Sequence, residues 1–133
     1  MINIEKENLP VFVYGTLKHG FSNNYFLRTS IPLGRATTKK NFALYVDGYN
    51  GLPYLKKEPK CKISGEVYQV NPIKLMQLDV LEGHPDYYKR EKTEVVIENK
   101  VVSCWIYFYT GSVFRCDELT DGKFVEPKRE RLW

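Results

Sequence analysis

The chain has 133 residues, with 20 Lys and Arg against 16 Asp and Glu and a formal net charge of +4. This length predicts a single domain, spanning 1–133, that can bury an apolar core without disulfides or a metal. A hydrophobic fraction of 43% excludes a disordered chain. The charge excess is too small for a dedicated nucleic-acid binder.

The cysteines and the N-terminus indicate a cellular compartment. Cys61, Cys104 and Cys116 form no Cys-x-x-Cys pair and are odd in number, so we expect reduced thiols rather than a disulfide framework. The sequence contains neither an apolar signal segment nor a run long enough for a membrane helix. These features predict a soluble, cytoplasmic protein that does not bind a membrane.

Strand-like alternation recurs along the chain, and aromatic residues make up 14% of it. Turn residues separate the runs, and Glu98-Asn99-Lys100 predicts a hairpin between the last two. The domain core is expected at about 10–110, followed by turns and a surface tail over 111–133. The predicted strands are 9–14, 34–40, 42–46, 53–57, 63–70, 88–98 and 100–110.

Two helices are expected among these strands. Residues 22–28 begin with capping residues and predict a short helix. Asn71 is a good N-cap, Pro72 suits the first helical position and Gly83 supplies the end, which predicts a helix over 72–82. The fold class is therefore α+β, a mixed sheet with a helix packed against it.

Glu82 lies on the face that this helix is expected to bury. Leu75 and Leu78 mark an apolar stripe, and seven residues separate Leu75 from Glu82, which places the two within about 20° of each other. Burial and the negative end of the helix dipole would both raise the pKa of Glu82, toward the range of a general acid or base at neutral pH. Carboxylates without any function are also common in last turns. Asp79 is an alternative acid, but we favour a structural role for it, pairing with Arg90 or a backbone amide.

A second candidate site is the turn Tyr14-Gly15-Thr16-Leu17, which follows the first strand. Backbone N–H groups at a glycine turn can point outward together and bind a carboxylate or phosphate. An ordinary strand-to-loop turn explains the same residues. The segment lacks the spacing of a phosphate-binding P-loop.

Five segments in order carry a resemblance to a known family. VFVYGTLKHG, GLPYL at 51–55, GEVYQV at 65–70, LDVLEGHPDYYKR at 78–90 and WIYFY resemble the γ-glutamylcyclotransferase-like superfamily, in its AIG2-like branch, and most closely the γ-glutamylamine cyclotransferases. The resemblance covers about residues 10–110. It implies a small mixed β-barrel with flanking helices.

The resemblance also implies an activity, the cyclisation of a γ-glutamyl group to 5-oxoproline with release of an amine, and it calls for no metal and no other cofactor. The expected partner is a small γ-glutamyl substrate, with no nucleic acid; the leaving amine and the oligomeric state stay open. Glu82 matches the catalytic glutamate of the family. The substrate-binding residues implied are Tyr14, Gly15, Thr16, Leu17 and Tyr88, with Tyr107 or Tyr109 lining the same cavity.

Two other interpretations of the residues remain open at this point. A non-enzymatic AIG2-like module could bind RNA or an acidic protein through basic residues, with Tyr54 for stacking. A thiol hydrolase could use one of the three cysteines with His19 or His84 as its base. The basic residues in question are Lys56, Lys57, Lys60, Lys62, Lys128, Arg129 and Arg131.

Overall fold

A computed structural model of the chain describes residues 8–126. These residues form eight strands, one α-helix and one 3₁₀ turn. The basic residues Lys128, Arg129 and Arg131 lie outside the described part. The strands are β1 (Leu9–Val13), β2 (Ile31–Thr38), β3 (Phe42–Asp47), β4 (Pro53–Cys61), β5 (Ser64–Val70), β6 (Tyr88–Ile97), β7 (Lys100–Tyr109) and β8 (Cys116–Glu118); the helix α1 is Pro72–Glu82 and the 3₁₀ turn is Asn24–Leu27.

Five strands close into a barrel in the order β1-β5-β2-β6-β7. Neighbouring strands are antiparallel except where β1 meets β7 in parallel, with Val11 opposite Trp105. The expected hairpin joins β6 to β7, because Glu98 and Asn99 adopt the positive φ angles of 47° and 67° that a two-residue hairpin turn requires. The small mixed β-barrel expected from the sequence is confirmed.

A second sheet of three strands, in the order β4-β3-β8, lies outside the barrel. Strand β8 pairs with β3 through Tyr45 and Glu118, and Phe124, further along the chain, is only 1% exposed. The prediction of a surface tail after Thr110 was therefore wrong for this segment. A three-residue strand and an isolated aromatic residue show no periodicity that a sequence pattern can detect.

Strand β4 is longer than expected. It continues to Cys61, past the predicted end at Lys57. Beyond a register shift, β4 pairs with β3 again, and Cys61 lies opposite Phe42. Most of the second half of β4 is exposed. Consecutive positions there are mostly polar, so the alternation of apolar and polar residues that predicts a half-buried strand is missing.

The helix α1 has the predicted bounds and the predicted ends. The side chain of Asn71 accepts a hydrogen bond of 2.7 Å from the N–H of Lys74. Gly83 ends the helix in the left-handed conformation, with φ of 66°, which is why glycine suits this position. Leu75 and Leu78 are buried, so the predicted apolar stripe does face the interior.

Other helical structure in residues 8–126 is limited. The helix expected over 22–28 is a 3₁₀ turn at Asn24–Leu27, whose Leu27 is buried. The described part of the chain contains no helix with the length and apolar character that crossing a membrane would need.

Strand β1 connects the two parts of the apolar core. Phe12 packs into one cluster inside the barrel. Val11 and Val13 point to the other side and pack in a second cluster with Leu75 and Leu78 of α1. Because β1 lies against the helix in this way, the turn that follows β1 is brought close to the C-terminal end of α1.

Candidate active site

A cavity of about 240 Å³ lies between the end of β1 and the C-terminal end of α1. Its volume is smaller than that of typical drug-binding pockets and suits a small metabolite. All seven site residues predicted from the sequence line it, although their roles remain predictions. The lining residues are Phe12, Val13, Tyr14, Gly15, Thr16, Leu17, Asn23, Leu52, Pro53, Leu81, Glu82, Tyr87, Tyr88 and Tyr107.

Glu82 is the one acidic residue in this lining, which includes no Lys, Arg or His from residues 8–126. Its side chain is largely buried, and burial raises the pKa of Glu82 to about 7. The contribution of the helix dipole stays a prediction; at this end of the helix the N–H groups of Gly83 and His84 cap the carbonyl oxygens of Val80 and Asp79. Near neutral pH this carboxyl can both accept and donate a proton.

The turn at 14–17 is held from several sides. A Cβ on Gly15 would come within 2.6 Å of the Pro53 ring, so only glycine fits this close approach. The side-chain amide of Asn23 donates to Thr16 Oγ1 at 2.9 Å, and that of Asn24 donates to the carbonyl of Leu17 at 2.8 Å. These contacts fix the turn against the cavity wall.

The main-chain N–H groups of this turn remain available for a ligand. Within residues 8–126, those of Gly15, Thr16 and Leu17 have no hydrogen-bond acceptor in the protein. The carbonyls of Gly15 and Thr16, in contrast, accept bonds from the N–H groups of Lys18 and Asn23. Unpaired donors at the wall of a cavity are suited to binding an anion such as a carboxylate.

Four tyrosines line the cavity, and the hydroxyls of three of them donate their protons to other groups of the protein. Tyr14 donates to the carbonyl of Tyr107 at 2.6 Å, Tyr88 donates to the carbonyl of Pro53 at 2.7 Å, and Tyr107 donates to Asp79 Oδ1 at 2.7 Å. Burial raises the pKa of all three tyrosines. The negative charge of Glu82 adds to this effect, and for Tyr107 the hydrogen bond to Asp79 adds more. Because a hydroxyl has one proton and two lone pairs, these oxygens can only accept hydrogen bonds from a ligand.

Asp79 has the structural role that we favoured. Its two carboxylate oxygens accept hydrogen bonds from Arg90 Nε at 2.8 Å and Nη2 at 2.9 Å, in addition to the bond from Tyr107. Burial opposes ionisation of Asp79, but the hydrogen bonds from Arg90 and Tyr107 outweigh it and lower its pKa. Asp79 therefore stays ionised and anchors Tyr107 in the cavity wall.

A cluster of tyrosines borders the cavity next to Glu82. Tyr109, the alternative to Tyr107, is not among the lining residues and instead stacks on Tyr54 with 3.7 Å between ring centres. Tyr54 is 2% exposed, so its ring does not provide the stacking surface that the alternative RNA-binding interpretation would use. The hydroxyls of Tyr54 and Tyr87 lie 3.1 Å apart.

Several lining residues were not singled out from the sequence. Leu52 and Pro53 belong to the GLPYL segment, Leu81 and Tyr87 flank Glu82 and Tyr88, and Asn23 lies in the short helical segment. The sequence features that could have identified some of these residues are the two consecutive tyrosines at 87–88 and the GLPYL motif.

The thiol interpretation finds no matching arrangement in residues 8–126. None of the three cysteines lines the cavity, and burial raises the pKa of Cys61, Cys104 and Cys116, in the case of Cys104 to about 11. A raised pKa disfavours the reactive thiolate. His84 Nδ1 accepts a hydrogen bond of 3.0 Å from the N–H of Arg90, which gives it a structural role.

The predicted basic surface is partly occupied by contacts within the chain. Lys56 donates to the carbonyls of Tyr109 and Gly111, Lys57 forms an ion pair with Glu91 at 2.6 Å, and Lys62 donates to the carbonyl of Lys39. Intramolecular partners reduce the positive charge available to a phosphate backbone. Lys60 is exposed on β4, and the other basic residues of that interpretation lie after residue 126.

Comparison with known proteins agrees with the resemblance. The model of the family described as "Gamma-glutamyl cyclotransferase, AIG2-like" matches residues 11–126, which extends past the region of about 10–110 inferred from the motifs. A protein of Methanocaldococcus jannaschii, provisionally named a gamma-glutamylcyclotransferase, is 43% identical over 105 residues, covering 77% of this chain and 85% of its own length.

Two further relatives carry more specific names. The Bos taurus protein named gamma-glutamylaminecyclotransferase is 36% identical over 107 residues, covering 74% of this chain and 64% of its own length. The crystal structure of an AIG2-like protein from Mus musculus superposes with a TM-score of 0.77 at 26% identity, covering 94% of this chain and 99% of that one.

Proposed function

Because the chain belongs to the gamma-glutamyl cyclotransferase, AIG2-like family, we propose that it converts a γ-glutamyl amine into 5-oxoproline and a free amine, with Glu82 as the general acid and base. The observation that carries this proposal is the position of Glu82. Among residues 8–126 its carboxyl has no hydrogen-bond or ionic partner, its pKa is about 7, and it shares the cavity with main-chain donors of the 14–17 turn that have no acceptor in the same part of the chain.

The proposed reaction is an intramolecular transfer. The lone pair of the substrate's α-amino nitrogen forms a bond to the γ-carbonyl carbon, and the bond from that carbon to the amide nitrogen breaks. Counted from the uncharged α-amine, one proton moves from the attacking nitrogen to the departing nitrogen, so the products are 5-oxoproline and a neutral amine. No water is consumed and nothing is oxidised, which agrees with a site that needs only a proton carrier.

Proton transfer is the step for which the enzyme is needed. Ring closure is already unimolecular, so the protein has only to hold the substrate in a folded conformation. An α-amino group with a pKa of about 8 is mostly protonated at pH 7 and cannot attack. The ionised form of Glu82 accepts one proton from the α-ammonium group and, once protonated, delivers it to the leaving nitrogen. On ring closure the attacking nitrogen loses a second proton, which the basic departing amine takes up, so the positive charge of the α-ammonium group leaves with the amine.

The two kinds of polar group in the cavity match the two charged groups of a γ-glutamyl unit. The free N–H donors of Gly15, Thr16 and Leu17 suit the α-carboxylate. The hydroxyl oxygens of Tyr14 and Tyr88, whose protons are already donated to the protein, suit the α-ammonium group, which is a donor. The substrate is thereby oriented with its amino group toward Glu82.

The experiment that tests this function is an assay of 5-oxoproline release from γ-glutamyl amines. We expect turnover by the wild-type protein and a loss of about 10³-fold or more in kcat for Glu82→Gln, which keeps the shape of the side chain but cannot carry the proton. Glu98→Gln, an exposed carboxylate in the β6–β7 turn, is the matched control and should retain full activity. Turnover by Glu82→Gln close to that of the wild type would refute the proposed role.

A further inference from the structure

A second cavity, of about 380 Å³, lies between the 3₁₀ turn and strands β2 and β5. It shares no lining residue with the candidate active site, and its volume falls within the range of sites that bind small molecules. Arg28 and Arg35 both line it, and we therefore call this cavity the arginine cleft.

An irregularity in strand β2 keeps the arginine cleft open. The register of β2 on β5 shifts between Pro32 and Gly34, and Gly34 has a φ of 130°, a conformation that favours glycine. A Cβ placed on Gly34 would approach only the side chain of Ile97, at 3.8 Å, so the space beside Gly34 is largely open. A bulge of this kind redirects the side chains next to it, and Arg35 is the next residue along the strand.

The floor of the arginine cleft is apolar and held in place. Leu27, Val67 and Tyr68 are buried and line the cleft. The hydroxyl of Tyr68 accepts a hydrogen bond of 3.2 Å from the side-chain amide of Asn24 and donates to Glu66 Oε1 at 3.1 Å. This floor gives the apolar part of a ligand a surface on which it is removed from water.

The two arginines of the cleft have no acidic partner in the described part of the chain. Arg35 lies opposite Glu66 where β2 pairs with β5, but Glu66 Oε1 accepts its bonds from the main-chain N–H of His19, at 2.8 Å, and from Tyr68. Within residues 8–126 the side chains of Arg28 and Arg35 form no ion pair and no hydrogen bond. Two guanidinium groups against one carboxylate leave the cleft with an excess of positive charge.

We infer that the arginine cleft is a second binding site, for a small organic molecule that carries a doubly charged anionic group on an apolar body. Guanidinium groups match the geometry of phosphate and carboxylate oxygens, so the anionic group is a phosphate monoester or a pair of carboxylates. Arg28 and Arg35 bind this group, and the buried floor formed by Leu27 and Val67 takes the apolar body.

The arginine cleft and the candidate active site differ in the charge that they offer to a ligand. The described lining of the active site has Glu82 as its one charged side chain, and the anion donors there are main-chain N–H groups. In the cleft the donors are the side chains of Arg28 and Arg35. An anion bound by the cleft therefore depends on arginine side chains, and substitution of these arginines separates the two sites.

The test follows the binding of phenyl phosphate and of phthalate to the full-length protein by the backbone amide signals in ¹H–¹⁵N NMR spectra. We expect saturable shifts at cleft residues, among them Arg35, Val67 and Tyr68. Inorganic phosphate lacks the apolar body and phenol lacks the charge, so each should bind at least about tenfold more weakly than phenyl phosphate. Binding of only one of the two anions would support the site and identify its anionic group as phosphate or carboxylate.

Two substitutions show whether the arginines carry this binding. Arg28→Gln and Arg35→Gln each remove one guanidinium group from an exposed position and should raise the Kd of the bound anion about tenfold. Arg115→Gln is the matched control, because Arg115 is exposed and lines neither cavity, and it should leave the Kd unchanged.

Three results would overturn the inference. They are shifts confined to the 14–17 turn, an equal loss of affinity in all three arginine variants, and the absence of saturable binding by either anion. None of them bears on the proposed function, which is judged by the release of 5-oxoproline.

Discussion

Asp79 and Glu82 belong to the last turns of the same helix, but their surroundings differ in every respect that affects a carboxyl group. Asp79 accepts hydrogen bonds from Arg90 and Tyr107, and these lower its pKa in spite of burial. Glu82 has no such partner in the described part of the chain, and burial raises its pKa to about 7. The comparison teaches that burial alone does not make a carboxyl reactive: the paired one supports the site, and the unpaired one is available for chemistry.

The largest stability effect that we expect from this contrast is a gain from Glu82→Gln. A carboxyl whose pKa is 4.5 when unfolded and about 7 when folded favours folding below pH 4.5 and loses that contribution as the pH rises through 7. At pH 8 the variant should therefore be more stable than the wild type by up to about 3 kcal/mol. Urea unfolding at pH 8 and at pH 4 checks this, because the difference should shrink at the lower pH. An equal or lower stability of the variant at pH 8 would contradict the description of Glu82.

A loss of stability is expected when the other carboxyl, that of Asp79, is replaced. Asp79→Asn keeps the shape but removes the charge that Arg90 and Tyr107 bind, so it should cost about 2 kcal/mol at pH 7. The lowered pKa of Asp79 means that its contribution is present above the unfolded value of 3.8 and is lost as the pH falls through the lower folded value. The cost should thus diminish between pH 4 and pH 2 in urea unfolding. Asp117→Asn, exposed on β8, is the matched control.

A smaller effect is expected from the residue that connects the two carboxyls. Tyr107→Phe removes the hydroxyl that donates to Asp79 but leaves the ring in the cavity wall. We expect a loss of about 1 kcal/mol in urea unfolding, together with a rise in the pKa of Asp79 toward its ordinary value. If the stability and the titration of Asp79 were both unchanged, Tyr107 would not be the link between Asp79 and the cavity.

Much of this arrangement could be predicted because its signals are local. The ends of α1 depend on Asn71, Pro72 and Gly83, which act on their neighbours in sequence, and the helical period alone placed Glu82 on the buried face. The strand that precedes the 14–17 turn was recognisable for the same reason.

The parts that could not be predicted depend on distant contacts. Strand β8 forms because residues Cys116–Glu118 pair with the edge of β3. Phe124 is buried because it packs in the barrel core, where the ring of Phe21 lies against its own. The hydroxyl directions of Tyr14 and Tyr88 are likewise set by partners far away in sequence, the carbonyls of Tyr107 and Pro53. No periodicity in the chain carries that information.

The most direct test of the account is the pKa of Glu82 itself. Titration of its side-chain carboxyl carbon by NMR, assigned by comparison with the spectrum of Glu82→Gln, follows this one group without reference to a substrate. We expect a transition near pH 7, well above that of an ordinary glutamate. A transition at or below pH 5 would mean that Glu82 is solvated like a surface residue, and the assignment of the proton carrier would be wrong.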